Sequence, residues 1–439
     1  MHRAERLSRG AWAIVALLWL VATLNYLDRQ LVVTMPGPIK ADLGIGNERF
    51  GLLSSVFLWI YGICSPIAGY VADRFGKRPV IIASLLVWSA ATFVTGIVTS
   101  FEGMLAARAM LGVSEAFYMP AAVALIVEYH RGPTRSRATG LHLSGVYAGS
   151  VLGGLGGAFA EMYGWRTGFL VMGAIGVAYA LVLMIFFPRP TDRASDEQAR
   201  EATAAFEALP STPLAGAFKS LLTTRGFLFL LAMNLLNGAA YWPVRNWLPE
   251  FFRSELGVDQ AWSGIYGPMT FNGAAFIGML IASNISDWWS GWNERARALV
   301  PAIGFMIAAP CLFAVGAVDY IPIILACVLV AGMSQGFLDS NLMPAACTVT
   351  DFRHRATAYG LLNFVGTTAG GVMTYVGGML KEQNVPFGTT FQVASLLIFV
   401  AGLCLFAVKP AHVGFSAPRA AEPLPSSRNE VSEREPASP

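Results

Sequence analysis

The chain has 439 residues, of which 55% carry apolar side chains and only 13% are charged. That balance excludes a soluble enzyme and fits an integral membrane protein. The formal charge of +3 is spread between apolar runs and forms no patch that would serve nucleic acid.

Runs of about 20 apolar residues, enough to cross a bilayer, occur near 11–35, 50–72, 79–99, 104–128, 138–160, 167–187, 226–252, 262–285, 298–317, 321–347, 356–380 and 389–409. The expected fold is all-α and integral to the membrane, with twelve transmembrane helices in two pseudo-symmetric six-helix bundles: residues 1–187 and 226–409, joined by a polar linker at 188–225 and followed by a disordered tail at 410–439. The first run has a basic flank but is too long for a signal peptide and contains Asn25, Asp28 and Arg29, so it reads as a retained helix. Basic residues collect on alternate loops: Arg3, Arg6 and Arg9, then Arg74, Lys77 and Arg78, Arg131, Arg135 and Arg137, Arg295 and Arg297, and Arg353 and Arg355. Both termini are therefore expected in the cytoplasm of a bacterial inner membrane protein. The five cysteines, Cys64, Cys311, Cys327, Cys347 and Cys404, show no Cys-x-x-Cys spacing and read as packing residues.

Asn25-Tyr26-Leu27-Asp28-Arg29 places two ionisable groups inside the first span. Each such group costs roughly 2.5 to 3.5 kcal/mol on the mildest insertion scale, so it marks an ion or substrate path. Asp28 and Arg29 point about 100° apart on a helix and each needs a partner on another span. Glu115 in the fourth span suits this need: Asp28 lies roughly 12 Å from the outer end of its span and Glu115 roughly 17 Å from that of its own, close enough to share a depth.

The halves echo each other. Met119-Pro120-Ala121-Ala122 recurs as Met343-Pro344-Ala345-Ala346, and Arg137-Ala138-Thr139 as Arg355-Ala356-Thr357; small-residue clusters, Gly153-Gly154-x-Gly156-Gly157 and Gly370-Gly371 with Gly377-Gly378, follow each. Asp339 stands where the repeat of Glu115 falls.

Gly69-x-x-x-Asp73-Arg74-x-Gly76-Lys77-Arg78, between spans two and three, combines a helix-contact glycine, an acid able to pair across helices, a turn glycine and a basic run. This segment resembles the loop signature of the major facilitator superfamily, and the resemblance extends over all twelve spans. It implies a gating role for Gly69, Asp73, Arg74, Gly76, Lys77 and Arg78. The second-half counterpart, Ser283-x-x-x-Asp287, lacks the glycine and the basic run.

Asn-Tyr-x-Asp-Arg in the first span with Glu-Ala in the fourth is similar to the anion:cation symporter branch of that superfamily, the bacterial hexuronate and aldonate permeases. The resemblance implies that Arg29 binds the substrate carboxylate, that Asp28 and Glu115 carry protons, and that Tyr26 lines the cavity. The same residues, with Gly149-Ser150-x-Leu152-Gly153, are also similar to spinster-like lipid transporters. Tyr241-Trp242-Pro243-Val244-Arg245-Asn246-Trp247-Leu248-Pro249 resembles the aromatic seventh-span segment of the hexuronate permeases; Tyr241, Trp242 and Trp247 would stack on a sugar. Asn237 and Asn363 offer amides for hydroxyl groups, and His142 and Tyr147 occupy the fifth-span face that in those permeases carries an amide.

No phosphate-binding loop occurs, because Gly76-Lys77 is followed by Arg78, and no His-Glu-x-x-His or Cys/His metal spacing is present. The expectation is a monomeric secondary transporter with no catalytic residue, metal or cofactor, importing a small organic anion with protons as the coupling ion. A lipid or drug exporter, an organophosphate:phosphate antiporter and a non-transporting anion sensor are the alternatives.

Overall fold

The computed structural model describes residues 2–130, 133–187, 214–351 and 354–410. The expected tail beyond 410, most of the 188–225 linker, Arg131 and Arg353 lie outside the described residues, as do the side chains of Gly69 and Asp73. Within the described part of the linker, Leu214–Thr223 is a helix packed on the seventh and eleventh spans.

Each apolar run folds as helix, as a backbone in hydrocarbon must, since helix formation satisfies every N–H and C=O within the segment. The spans are His2–Thr34, Asn47–Phe75, Lys77–Thr95, Phe101–Ala116 with Tyr118–Tyr129, Pro133–Gly153 with Gly156–Tyr163, Trp165–Phe186, Arg225–Ser254, Gln260–Ser290, Ala296–Val315, Ile321–Val349, Arg355–Glu382 and Phe387–Ala407. Ten helical stretches among the described residues are long and apolar enough to cross a membrane, or eleven when the fifth-span pair Arg137–Gly153 and Gly156–Tyr163, bent by 42°, counts as one. The eleventh span, Arg355–Glu382, is 28 residues long but rich in glycine and threonine, and is not among them.

Two local breaks have sequence causes. In the fourth span Pro120 has no N–H to donate to Ala116, and the helix is interrupted at Phe117. In the fifth span the glycines at 153–157 admit another backbone: a Cβ at Gly157 would collide with the Gln260 carbonyl of the eighth span. Gly76, at φ 87°, makes the turn between spans two and three, a conformation other L-residues rarely adopt.

Pairing of the spans carries the pseudo-symmetry. The first packs on the fifth, the second on the fourth and the third on the sixth; six spans later the seventh packs on the eleventh, the eighth on the tenth and the ninth on the twelfth. Between bundles the second meets the eleventh and the fifth meets the eighth, pairs that exchange under the same operation.

Among the described residues, polar bonds between the bundles gather at the end carrying Lys40. Lys40 Nζ donates across the interface to Glu250 Oε1 at 2.7 Å, and each partner is also held within its own bundle, Lys40 by Asn47 Oδ1 and Glu250 Oε1 by Arg253 Nη2, both at 2.7 Å. The Asn47 N–H donates to Glu382 at 2.8 Å, Tyr375 Oη to Glu48 at 2.6 Å, and Gln260 Nε2 to the Thr34 carbonyl at 2.6 Å. Deeper, Ser55 Oγ donates to the Gly371 carbonyl at 2.7 Å. Toward the Arg74 end, Ile63, Ile67 and Tyr70 of the second span and Tyr359 of the eleventh are exposed. The bundles are thus latched at the Lys40 end and apart at the other.

Glu250 is buried and is the shared counter-charge of Lys40 and Arg253. Glu250→Gln is therefore expected to weaken the latch and raise the population open at the Lys40 end about tenfold, in line with loss of 1 to 3 kcal/mol of charge-assisted bonding. The measurement is labelling of Ser54→Cys, a buried position facing the cavity, by an impermeant maleimide in a background without the five native cysteines. Labelling no faster than in the Glu250 background would refute the latch.

Candidate functional site

The two charges of the first span part as their helical spacing requires. Arg29 turns to the fourth span, where its Nε donates to Glu115 Oε2 at 2.5 Å; Asp28 turns to the third, where Thr92 Oγ1 donates to its carboxylate at 3.1 Å. Glu115 is 1% exposed and Asp28 5%. The Arg29 guanidinium lies 4.5 Å from the centre of the Tyr26 ring, 4.7 Å from that of Tyr61 and 5.0 Å from that of Phe57. Ring faces carry partial negative charge, so this three-sided aromatic surround stabilises a cation that has left water. Asn25 sits beside the Glu115 carboxylate.

A third ionisable group joins them. Arg108 lies two turns before Glu115 on the same face of the fourth span, buried, with its Nε–H 3.4 Å from the Leu53 carbonyl and its guanidinium 5.0 Å from the Phe57 ring centre. It faces both Glu115 and Asp28 electrostatically. Sequence reading passes over Arg108, although its spacing of seven from Glu115 was the available signal.

The second bundle supplies the opposite wall. Trp242, Arg245 and Asn246 of the seventh span line one narrow cavity with Tyr26, Arg29, Gln30, Ser54, Phe57 and Arg108; its volume of about 30 Å³ is room for one water molecule. Arg245 stacks 5.2 Å from the Trp242 ring centre, and its Nη2 donates to Asn272 Oδ1 at 3.0 Å. Beside it Tyr147 Oη donates to Asp339 Oδ2 at 2.7 Å, and Asn363 Nδ2 reaches Ser65 Oγ at 3.4 Å, both between bundles.

Several expected ligands are placed elsewhere. His142 is fully buried, edge-on to Tyr118, whose Oη donates to the Leu18 carbonyl; it sits inside the first bundle and away from the cavity. Tyr241 turns into the second-bundle core between Phe271 and Phe305 and donates to the Ala331 carbonyl at 3.1 Å, so it presents no face to a sugar. Trp247 stacks on Phe387 and donates to the Thr374 carbonyl at 3.0 Å. Asn237 is buried in the same bundle. Of the expected stacking residues, Trp242 alone lines the cavity.

In the loop between spans two and three, Lys77 pairs with Glu128 and Arg78 Nη2 donates to the Met184 carbonyl at 3.0 Å, while Arg74 is exposed. These contacts stay within the first bundle. The second-half counterpart Asp287 pairs with Arg297 at 3.1 Å.

The model of the Major Facilitator Superfamily matches residues 18–375. The chain belongs to the major facilitator superfamily. It is 27% identical over 416 residues to an MFS-type efflux pump of Mycolicibacterium smegmatis, covering 92% of each chain, and 24% identical over 415 residues to the hexuronate transporter of Escherichia coli K12, covering 91% of this chain and 95% of that one. Its fold matches the crystal structure of a bacterial homologue of the human lysosomal transporter spinster with a TM-score of 0.74 at 19% identity, over 90% of this chain and 96% of that one. As a superfamily member the protein is a multi-pass membrane transporter and not an enzyme, and its relatives span the organic-anion and spinster-like branches.

A buried pair broken on one side leaves an unpaired charge, at a cost of roughly 3 to 5 kcal/mol, whereas apolar replacement of both partners is near neutral. Glu115→Leu is expected to lower the melting temperature in detergent by several degrees, and Arg29→Met with Glu115→Leu to recover most of it. Thermal unfolding followed by fluorescence checks this; a double variant no more stable than Glu115→Leu would show that the two residues are not energetically coupled.

Proposed function

We propose that this transporter imports a small organic anion, a sugar acid or another carboxylate, together with protons. The observation that carries the reading is the Arg29–Glu115 pair at 2.5 Å beside a cavity that both bundles line. While Glu115 is ionised it occupies the Arg29 guanidinium that a substrate carboxylate would use. Protonation of Glu115 removes that competitor, and Arg29 keeps its charge because a guanidinium does not lose its proton in a protein. The proton thus raises the affinity for the anion, and by linkage the anion raises the affinity for the proton to the same degree. Asp28, against Thr92 and facing Arg108, is a second carrier in the same cluster.

Basic loops mark the cytoplasmic side, which puts the Arg74 end inside the cell and the Lys40 latch outside. With that orientation the arrangement is open to the cytoplasm, and the closed Arg29–Glu115 pair is the state after the anion and proton have left. Rocking of the bundles would open the latch, admit the anion past Trp242 to Arg29, and close again around it. Arg245 adds a cation on the second-bundle wall, and Tyr26, Tyr147 and Asn363 complete the polar lining. The protein acts as a monomer in the bacterial inner membrane, with both termini inside and the proton as its coupling ion. The likeness to an efflux pump over 92% of the chain favours one second reading, export of an amphiphile by the same bundles.

Uptake of labelled glucuronate, gluconate and lactate into proteoliposomes under an inward proton gradient decides between them. Wild type is expected to accumulate at least one acid; Glu115→Gln should lose accumulation at least tenfold yet retain counterflow exchange, and Arg29→Ala should lose both. Uphill uptake by Glu115→Gln would sink the coupling scheme, and no uptake of any acid would turn the assignment to export.

A further inference from the structure

Arg29–Glu115 joins the first and fourth spans, and the corresponding spans of the second bundle, the seventh and tenth, carry Arg245 and Asp339. The second couple is not closed. Arg245 donates to Asn272, and its buried Nε–H has no partner among the described residues. Asp339 accepts instead from Gln335 Nε2 at 2.8 Å on its own span and from Tyr147 Oη at 2.7 Å on the fifth span, across the bundle interface. Asp339 is exposed to the open space between the bundles even though it lies about 15 Å inside the tenth span from its end at Val349.

We propose that Asp339 is a further protonation site of the transporter, in the second bundle, whose proton affinity is set by whether Tyr147 of the other bundle is in place. Both carboxylate oxygens accept hydrogen bonds in this arrangement, and losing one of these donors favours the protonated form. Rocking moves the fifth span against the tenth and withdraws the Tyr147 hydroxyl. The carboxylate then takes up a proton from the water of the cavity; an O–H bond forms on Asp339, Tyr147 keeps its own proton, and nothing is oxidised or reduced. Asp339 thereby reports the bundle arrangement in protons, which Glu115, held within one bundle, cannot do.

The groups that face Asp339 are few. Tyr147 comes from the fifth span, Arg245 and Tyr241 from the seventh, Tyr359 from the eleventh and Gln335 from its own turn. The eighth and ninth spans pack on the tenth without bringing a charged group to the carboxylate among the described residues. With Arg245 bound to Asn272, the Tyr147 hydroxyl is the partner that a change in bundle arrangement removes.

The inference deepens the proton-coupled reading, but its test is independent of substrate. Full-length protein in lipid nanodiscs is acidified stepwise while the infrared C=O band of protonated carboxylic acids is recorded. One component of that band should vanish in Asp339→Asn, persist in Glu115→Gln and return in Asp339→Glu. In Tyr147→Phe its midpoint should move so that Asp339 binds its proton about tenfold more tightly, as expected for loss of one donor to a carboxylate. A wild-type band titration left intact by Asp339→Asn overturns the site, as does a midpoint unmoved by Tyr147→Phe. Loss of the band in Asp339→Asn alongside absent proton-driven uptake by wild type would uphold the site and remove the symport reading alone.

Discussion

A guanidinium and a carboxylate in contact at 2.5 Å, one on the first span and one on the fourth, set the terms for the rest of this molecule. Neither charge is stable alone at that depth, and each is held by groups the sequence must also supply: Tyr26, Tyr61 and Phe57 around Arg29, Asn25 beside Glu115. The pair is a poor source of stability compared with apolar packing of the same volume. On the proposed reading its value lies in having two outcomes, closed on itself or opened by a proton and an anion together.

The helix packing around it depends on small residues as much as on charged ones. The second span meets the eleventh at Gly371, which receives the Ser55 hydroxyl and the Trp59 ring, and the fifth meets the eighth at Gly154, Gly157, Gln260 and Gly264, where backbones touch because no side chain intervenes. Lipid is as apolar as leucine, so packing between helices in a membrane rests on close approach and hydrogen bonds and not on exclusion of water. On the proposed cycle the Lys40–Glu250–Arg253 cluster is the contact that must open for the bundles to part at that end.

What could be read from sequence divides along the same physical line. The family came from the resemblance of the Gly69–Arg78 segment and the repeat from recurring motifs, while the match of Glu115 to the first-span charges followed from depth along a helix, which spacing fixes. Which way a residue points around its helix did not follow. In a soluble helix the apolar stripe marks the buried face, but a membrane span has lipid on one side and protein on the other, and both favour the same side chains. His142 and Tyr241 were assigned to the cavity because they are polar or aromatic within functional-looking segments; the structure turns both into bundle interiors, where Tyr118 and Phe271 receive them. Arg108 shows the converse. Its charge was a stronger mark than any aromatic, and with Glu115 fixed its face was fixed too.

Charge neutrality ties the two halves together. Three arginines, Arg29, Arg108 and Arg245, and three carboxylates, Asp28, Glu115 and Asp339, stand within electrostatic reach of one another around the centre of the molecule. With all six ionised the centre is neutral and an added anion would be unbalanced. Each proton taken by a carboxylate leaves one unit of positive charge, which an anion then offsets in a medium where uncompensated charge is most costly. On the proposed reading, proton and anion therefore enter as a pair because either one alone leaves a net charge in a low-dielectric centre, and the number of carboxylates that titrate during the cycle limits the charge of the substrate that can accompany them.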